Sequence, residues 1–472
     1  MFDQAAEAAV AAGARHDLEA PGAQETRAQH LAETEGEREA ENASASQVVG
    51  TARTSGRRGG GFLAPLRLAS FRRLIAGQTI SRLGDQFYFL AIPWLVLRVT
   101  DSPVALSLVL GISALTLGLC TVLGGVLADR MGPRNLMMSA DIARMLIMGA
   151  LAGLAIFVAV PPLWAITALS GLLGIASGLF YPASSAMVPH LVSTEDLQAA
   201  NSYEQLTFQT SNFVGPGVAG IVLTATRLAF GFVVDAASFV VSVLTLALIR
   251  MPRRAPAQGA TDATQASNAP KAGSLGEALR YLGRTRFLVM LIGVSLIANF
   301  AINGLFEVGV PLLLKERVGL IAGPQVQGIV VGGFGLGSVL GAVAAGLAVR
   351  VRRKTLVGVL LFVPFTLLAA VIPLAPSIFL MAGIFAVMGL LTTASNVLLA
   401  TVIQRFIPLD MMGRMMSFVL MGSFLGTPLS IFAYGAAATV VPSVDWLFFG
   451  GAALMALALA LALGNKLTWQ TK

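Results

Sequence analysis

Charge is what this chain has least of. Only 12% of its 472 residues are Asp, Glu, Lys or Arg, about half of the roughly 25% with which a soluble protein coats itself. A water-facing globule is therefore excluded. Cysteine is nearly absent: Cys120 is the only one, which excludes an intrachain disulfide framework and a Cys-built metal site. The histidines, His16, His30 and His190, are too few and too scattered for a His-ligated centre. No G-x-x-x-x-G-K-[ST] stretch occurs, so this chain does not hydrolyse ATP through a P-loop. No nucleophile, base and oxyanion-donor set emerges either; no catalytic residue, metal or cofactor is expected.

What the chain has in excess is apolar length. Hydrophobic residues make up 56% of it, in runs of roughly 18–25, each long enough as a helix to cross about 30 Å of hydrocarbon. Twelve spans are expected, over 74–97, 104–127, 136–159, 163–187, 205–226, 229–249, 288–314, 326–348, 355–375, 377–402, 415–439 and 446–463. The fold class expected is thus an all-α membrane protein of twelve transmembrane helices. The fifth span, in "NSYEQLTFQTSNFVGPGVAGIVLTA", is the most polar of them and the one hydropathy alone would miss.

The net charge of +8 hides a division. Residues 1–47 carry ten acidic and three basic side chains, a net of −7 that leaves +15 for the remainder. Residues 1–62 read as a disordered acidic tail. The tail lacks a basic n-region followed by a short apolar run, so the first span is expected to serve as an uncleaved signal anchor. Residues 63–249 form a first six-helix bundle, 250–286 a cytoplasmic linker, 287–464 a second bundle and 465–472 a cytoplasmic tail. The linker ends in "LGEALRYLGRTRFL", which reads as an amphipathic helix on the inner membrane surface.

Lys and Arg placement sets the orientation. With both termini in the cytoplasm, the inner loops hold Arg72, Arg73, Arg130, Arg134, the linker cations, "RVRRK", Arg405 and Arg414, against Arg98, Arg227, Lys315 and Arg317 outside. That is the positive-inside pattern, and Trp94, Trp164 and Trp446 then fall at outer helix ends. Because the cations are divided among loops, they report topology and exclude a nucleic-acid partner.

The two bundles are repeats. A shift of 220 residues carries "GGVLADRMGPRN" onto "AGLAVRVRRKTLV", matching Leu127, Ala128, Arg130 and Arg134 with Leu347, Ala348, Arg350 and Lys354, while Val349 replaces Asp129. "VPHLVSTEDLQAANS" pairs likewise with "IPLDMMGRMMS". Parallel six-helix halves point to alternating access around a site between them at mid-membrane.

"GVLADRMGPRNLM" resembles the loop motif G-x-L-a-D-[RK]-x-G-[RK]-[RK]-x-x-[LI] of the major facilitator superfamily, placed as there between spans two and three. Pro133 stands at a usually basic position and Met137 at the final Leu or Ile. "GQTISRLGDQFYFLAIPWLV", "FYPASSAMVPHLV", "AANSYEQ", "GPGVAGIVL", "VVDAASFVVS" and "MMGRMMSF" are similar to its drug:proton antiporter branch, which holds macrolide-efflux and enterobactin-exporter proteins. The resemblance spans about residues 65–464. It implies that spans one, four, seven and ten line the cavity while three, six, nine and twelve face lipid. It also implies that Asp129 meets the start of span eleven, so that Gly125, Asp129, Arg130, Gly132 and Arg134 latch the cytoplasmic ends together in the outward-facing state.

Polar groups inside spans are costly in hydrocarbon and so tend to face protein or water. Gln78, Arg82 and Asp85 share one face of span one, as do Gln205, Gln209, Asn212 and Pro216 in span five and Asn299, Asn303 and Glu307 in span seven. Tyr181, Ser184 and Asn396 join them as cavity-lining candidates. Asp85 is the first candidate for proton coupling, since a carboxyl group in a poorly solvated cavity can load and release a proton; the alternative is a static Arg82–Asp85 pair. Glu307 is the second, the alternative being a place beside Lys315 and Arg317 at the outer interface. Asp141, Arg144, Glu204 and Asp235, nearer span ends, read as structural. Gly333, Gly337 and Gly341, like Gly174 and Gly178, read as helix-packing positions, and the methionines of "DMMGRMMSFVLM" as flexible packing.

The function expected is secondary active transport: proton-coupled export of amphipathic or hydrophobic small molecules, by a monomer in the cytoplasmic membrane. The partners are the small-molecule substrate, protons and the bilayer. The alternatives are a siderophore or metabolite exporter, an importer of the same fold, or a receptor that does not transport.

Overall fold

Span one begins where Leu68 turns extended and runs unbroken from Ala69 to Thr100, passing Pro93 without a break. It ends at Asp101, whose left-handed backbone (φ 53°) turns the chain into the Ser102 cap of the next helix, Pro103–Met131. A second reversal follows at Gly132, where φ is +81°. A side chain is strained there, and Pro133 starts the third helix at once. These two turns lie at opposite ends of span two, the Asp101 end and the Gly132 end. The computed structural model describes residues 63–249, 286–347, 353–406 and 426–464.

The remaining helices are Pro133–Phe157, Leu163–Leu191, Leu197–Ala225 and Leu228–Ala247 in the first half. In the second, Arg286–Gly304 leads through a π-helical turn, Leu305–Gly309, into Val310–Leu347, which breaks at Gly319 and so supplies the end of span seven and all of span eight. Lys354–Leu360 and Phe362–Val371 make span nine, Ile378–Phe406 span ten and Asp445–Gly464 span twelve; the described part of span eleven is helical over 426–437. Each of the twelve expected spans thus has its helix or part of one, and no strand occurs among the described residues. The tail, the linker with its expected amphipathic helix, the second copy of the loop motif at 348–352, "IPLDMMGRMMS" and "DMMGRMM" lie outside the described residues.

Within each half the same pair of helices packs backbone to backbone. Gly174 and Gly178 of span four lie against Ser113, Leu117 and Cys120 of span two. Gly333, Gly337 and Gly341 of span eight lie against the carbonyls of Ala382, Ala386 and Leu390 of span ten. Glycine at every fourth residue lets two helices approach until a Cβ would collide. Spans two and eight, and spans four and ten, are equivalent under the repeat.

The halves also meet in equivalent pairs, span five on eight and span two on eleven. Gly328 faces the Pro216 carbonyl and Gly220, and Gly335 faces the backbone of Asn212 and Phe213. Pro216 has no N–H to bond the Asn212 carbonyl, and the chain of Gly335 occupies that side. Across the molecule, Gly111 lies on the Phe432 ring and Gly435 on Ser107. All of these contacts fall toward the Asp101 end. There Trp94 Nε1 also donates to Gln327 Oε1 at 2.6 Å, Arg98 Nη2 to the Leu320 carbonyl at 3.1 Å, and Lys315 pairs with Asp101. The halves are thus joined at the Asp101 end. Trp94 therefore corrects an expectation: it is 0% exposed and bridges the halves, whereas Trp164 and Trp446 are 74% and 55% exposed.

Candidate functional site

Two polar constellations occupy the interior, and span one contributes to both. Arg82 and Asp85 share a face of the helix but not a partner. Arg82 reaches span five, where Nη2 donates to Glu204 Oε2 at 2.7 Å and Nη1 to the Glu204 carbonyl at 3.1 Å. The static Arg82–Asp85 alternative is thereby overturned, because a long guanidinium finds a better acceptor on the neighbouring helix than on its own.

Asp85 instead has an oxygen 4.0 Å from Nη1 of Arg144 on span three. The other arm of Arg144 donates to Asp141, one turn earlier, and the second Asp141 oxygen accepts from Ser242 Oγ of span six at 2.6 Å. The guanidinium carbon lies 3.8 Å from the centre of the Phe180 ring and 4.5 Å from that of Phe239, cation–π contacts of a kind worth about 2 kcal/mol when dry. Asp235 of span six lies in the same region, its Oδ1 3.3 Å from Ser238 Oγ. A Cβ on Gly84 would strike both Ser238 and Asp235, so that glycine is what lets span one lie against span six beside Asp85. Asp141, Arg144 and Asp235 are at most 1% exposed. Sequence position alone had set these three apart as structural residues near span ends; the fold gathers them around Asp85.

The second constellation lines a cavity of about 260 Å³ at the seam between the halves. Gln86 and Asn212, joined at 3.3 Å, face Glu307 and Gln327 across it, with Phe89 and Phe306 among the apolar walls. Glu307 sits in the π-helical turn of span seven, a widening of the helix that often marks a functional position. The turn before it is hung on span eleven: Ser430 Oγ accepts from the Gly304 amide at 2.7 Å, and Tyr434 donates to the Ala301 carbonyl at 2.9 Å. Lys315 and Arg317 do not serve Glu307. Lys315 pairs with Asp101, and Arg317 donates to the Pro373 and Ala375 carbonyls.

The other candidates are divided among these surroundings. Asn303 Nδ2 donates to Thr427 Oγ1 at 3.2 Å, tying span seven to span eleven. Asn299 and Asn396 line a separate, smaller pocket of about 70 Å³ within the second half. Ser184 and Gln78 are buried, while Tyr181 and Gln205 are exposed and Gln209 is half-buried.

Of the loop motif, Arg134 bonds within the first half. Arg134 Nε and Nη2 each donate at 2.8 Å, to the Leu246 and Ala247 carbonyls, and Arg73 Nη1 donates to Leu248 at 2.7 Å. Cations there satisfy the orphan carbonyls of span six and its dipole. Gly124 lies against the backbone of Gly178 and Leu179, whereas a Cβ on Gly125 would meet nothing within 4 Å among the described residues. Asp129 and Arg130 are exposed; the start of span eleven, which the resemblance implies as the partner of Asp129, lies outside the described residues. Arg134→Ala is expected to cost about 1–2 kcal/mol through its two charge-assisted bonds, measured as a lower unfolding temperature in detergent.

The pattern that defines the Major Facilitator Superfamily matches residues 74–430. The multidrug efflux pump Tap of Mycolicibacterium fortuitum is 27% identical over 381 residues, covering 79% of this chain and 88% of that protein. Macrolide efflux protein A of Streptococcus pyogenes is 24% identical over 276 residues, covering 56% of this chain and 66% of that protein. Among solved structures, the nucleoside transporter NupG superposes with a TM-score of 0.63 at 10% identity, over 85% of this chain and 100% of that one. A D-xylose-proton symporter gives 0.59 at 16%, over 85% and 96%. At such identities these two attest the fold alone.

Proposed function

The chain belongs to the Major Facilitator Superfamily, and from that premise we propose that it is a proton-coupled exporter of amphipathic or hydrophobic small molecules that works by alternating access. The observation that carries this reading is the seam cavity, where the amides of Gln86, Asn212 and Gln327 and the carboxyl of Glu307 share one chamber with aromatic walls. Such a lining suits a ligand with an apolar body and a few polar groups. The similarity to drug and macrolide efflux proteins favours the same substrate class and the outward direction.

The division of the cations among the loops favours cytoplasmic termini, which makes the Asp101 end, where the halves are joined, the outer one. Asp85 is assigned the coupling proton. It faces Arg144 across 4.0 Å, so loading or releasing a proton there switches the pull between spans one and three. A proton entering down the membrane potential supplies about 2.3 kcal/mol per 100 mV. Glu307 acts in the substrate chamber. In proteoliposomes, uphill transport of an erythromycin or ethidium probe is expected to require a pH gradient or potential. Asp85→Asn is expected to retain downhill exchange and lose the uphill phase. Wild-type transport indifferent to both gradients would refute the coupling.

A further inference from the structure

One face of span one carries Gln78, Ser81, Asp85 and Tyr88, at i, i+3, i+7 and i+10. Gln78, Ser81 and Tyr88 are 1%, 2% and 4% exposed. This face looks into the first half, not into the seam. Gly77 abuts Thr245 and Gly84 abuts Ser238 on span six, and the Tyr88 ring is 6.4 Å from that of Phe232 on the same helix.

Several buried atoms along this column have no hydrogen-bond partner among the described residues: both amide atoms of Gln78, the Tyr88 hydroxyl, Ser170 Oγ on span four and Nε of Arg144. Tyr88 comes near Ser170 and Ser113 without closing a bond to either. Buried polar atoms are satisfied in the great majority of cases, and internal water is the usual partner when protein supplies none. The orphans flank Asp85 on both sides. Gln78 lies two turns toward the Gly132 end, Tyr88 and Ser170 toward the Asp101 end. The charged and titratable groups facing Asp85 are Arg82 and Tyr88 on span one, Asp141 and Arg144 on span three, Tyr181 on span four and Asp235 on span six; Glu204 of span five is held by Arg82.

We propose that protons cross through this column inside the first half, from Tyr88 and Ser170 to Asp85 and on past Gln78, by a route separate from the seam cavity that takes the substrate. It rests on the proton coupling proposed above. Each hydroxyl or bridging water accepts one proton on a lone pair and releases one to its neighbour, so no relay group changes its charge, and only Asp85 alternates between acid and carboxylate. Two routes let the proton and the substrate be loaded from opposite sides without competing for one chamber.

The test needs no substrate. In nanodiscs, a light-triggered acid jump is followed by the rise of the Asp85 carboxylic-acid infrared band, identified as the band that Asp85→Asn lacks. In the triple variant Gln78→Leu/Tyr88→Phe/Ser170→Ala, which removes the polar groups that would hold the relay, the rise is expected to slow by roughly tenfold or more. Tyr88→Phe alone is expected to slow it measurably, and Ser170→Thr, which keeps the hydroxyl, to leave it at the wild-type rate. An unchanged rate in a folded triple variant would mean that Asp85 is fed from the seam, and the separate route fails while the coupling stands. A wild type in which no such band appears refutes the coupling itself, and this route with it.

Discussion

Replacing Arg144 by leucine is expected to cost about 3–5 kcal/mol of stability, the usual consequence of leaving a buried charge without its partner, and to abolish gradient-driven transport. Arg144 is the cation that Asp141 and Asp85 share, in a region that also holds Asp235. Its removal takes the paired guanidinium from Asp141 and Asp85 and the cation from the Phe180 and Phe239 rings. Arg144→Lys is expected to recover only part of the loss. An ammonium group has no planar fork with which to hold one carboxylate while approaching a second, and it stacks less well between Phe180 and Phe239. Arg144→Leu/Asp141→Asn is expected to be more stable than Arg144→Leu alone, since it deletes one of the abandoned charges. Thermal unfolding in a single detergent across the four proteins measures the series. Equal unfolding temperatures for wild type and Arg144→Leu would show that the cluster does not depend on its cation.

Gly328→Leu is expected to prise open the Asp101 end. At Gly328 even a Cβ would press on the Pro216 carbonyl and Gly220, all backbone that has nowhere to retreat. Overpacking of this kind costs about 1–3 kcal/mol, which moves a two-state equilibrium by roughly five- to 150-fold. The sealed state is the one penalised, because the clash exists only when spans five and eight are in contact. In a Cys120→Ser background with Val331→Cys at the seam cavity, a membrane-impermeant maleimide applied at the Asp101 end is expected to label Gly328→Leu far faster than its parent, and turnover is expected to fall. Gly332→Ala is the control. A Cβ there meets Gly217 and Phe213 only at 3.7–3.9 Å, ordinary contact distance, and labelling is expected to stay slow. Equal labelling in both variants would remove the seal from the mechanism.

How much of this was legible before the fold was known depends on whether the feature is local. Helices, turns and close-packed glycines are local or nearly so: the reversal at Gly132 needs a positive φ, and the four-residue spacing of Gly333, Gly337 and Gly341 is written in one stretch. The face shared by Gln78, Arg82 and Asp85 is local too. The partners are not. Whether Arg82 turns to Asp85 or to Glu204, 122 residues on, depends on which helix lies alongside. Nothing in the span sequences distinguishes Asp141, Arg144 and Asp235 from isolated polar residues near helix ends until spans one, three and six are brought together. Trp94 misled for a related reason. An aromatic near a span terminus fits the headgroup layer equally well as a gap between two bundles, and only the approach of Gln327 decides. The π-helical turn around Glu307 had no signal at all, being fixed by Ser430 and Tyr434 on a helix more than a hundred residues away.

The closest approaches in the joint between spans five and eight are glycine against main chain. Parting these points of contact resets no rotamer on the glycine side, because glycine has none. The steep part of the activation barrier then belongs to rearrangement of ions rather than to the parting of helices. The temperature coefficient of turnover would accordingly follow the Arg144 environment and be nearly indifferent to the joint.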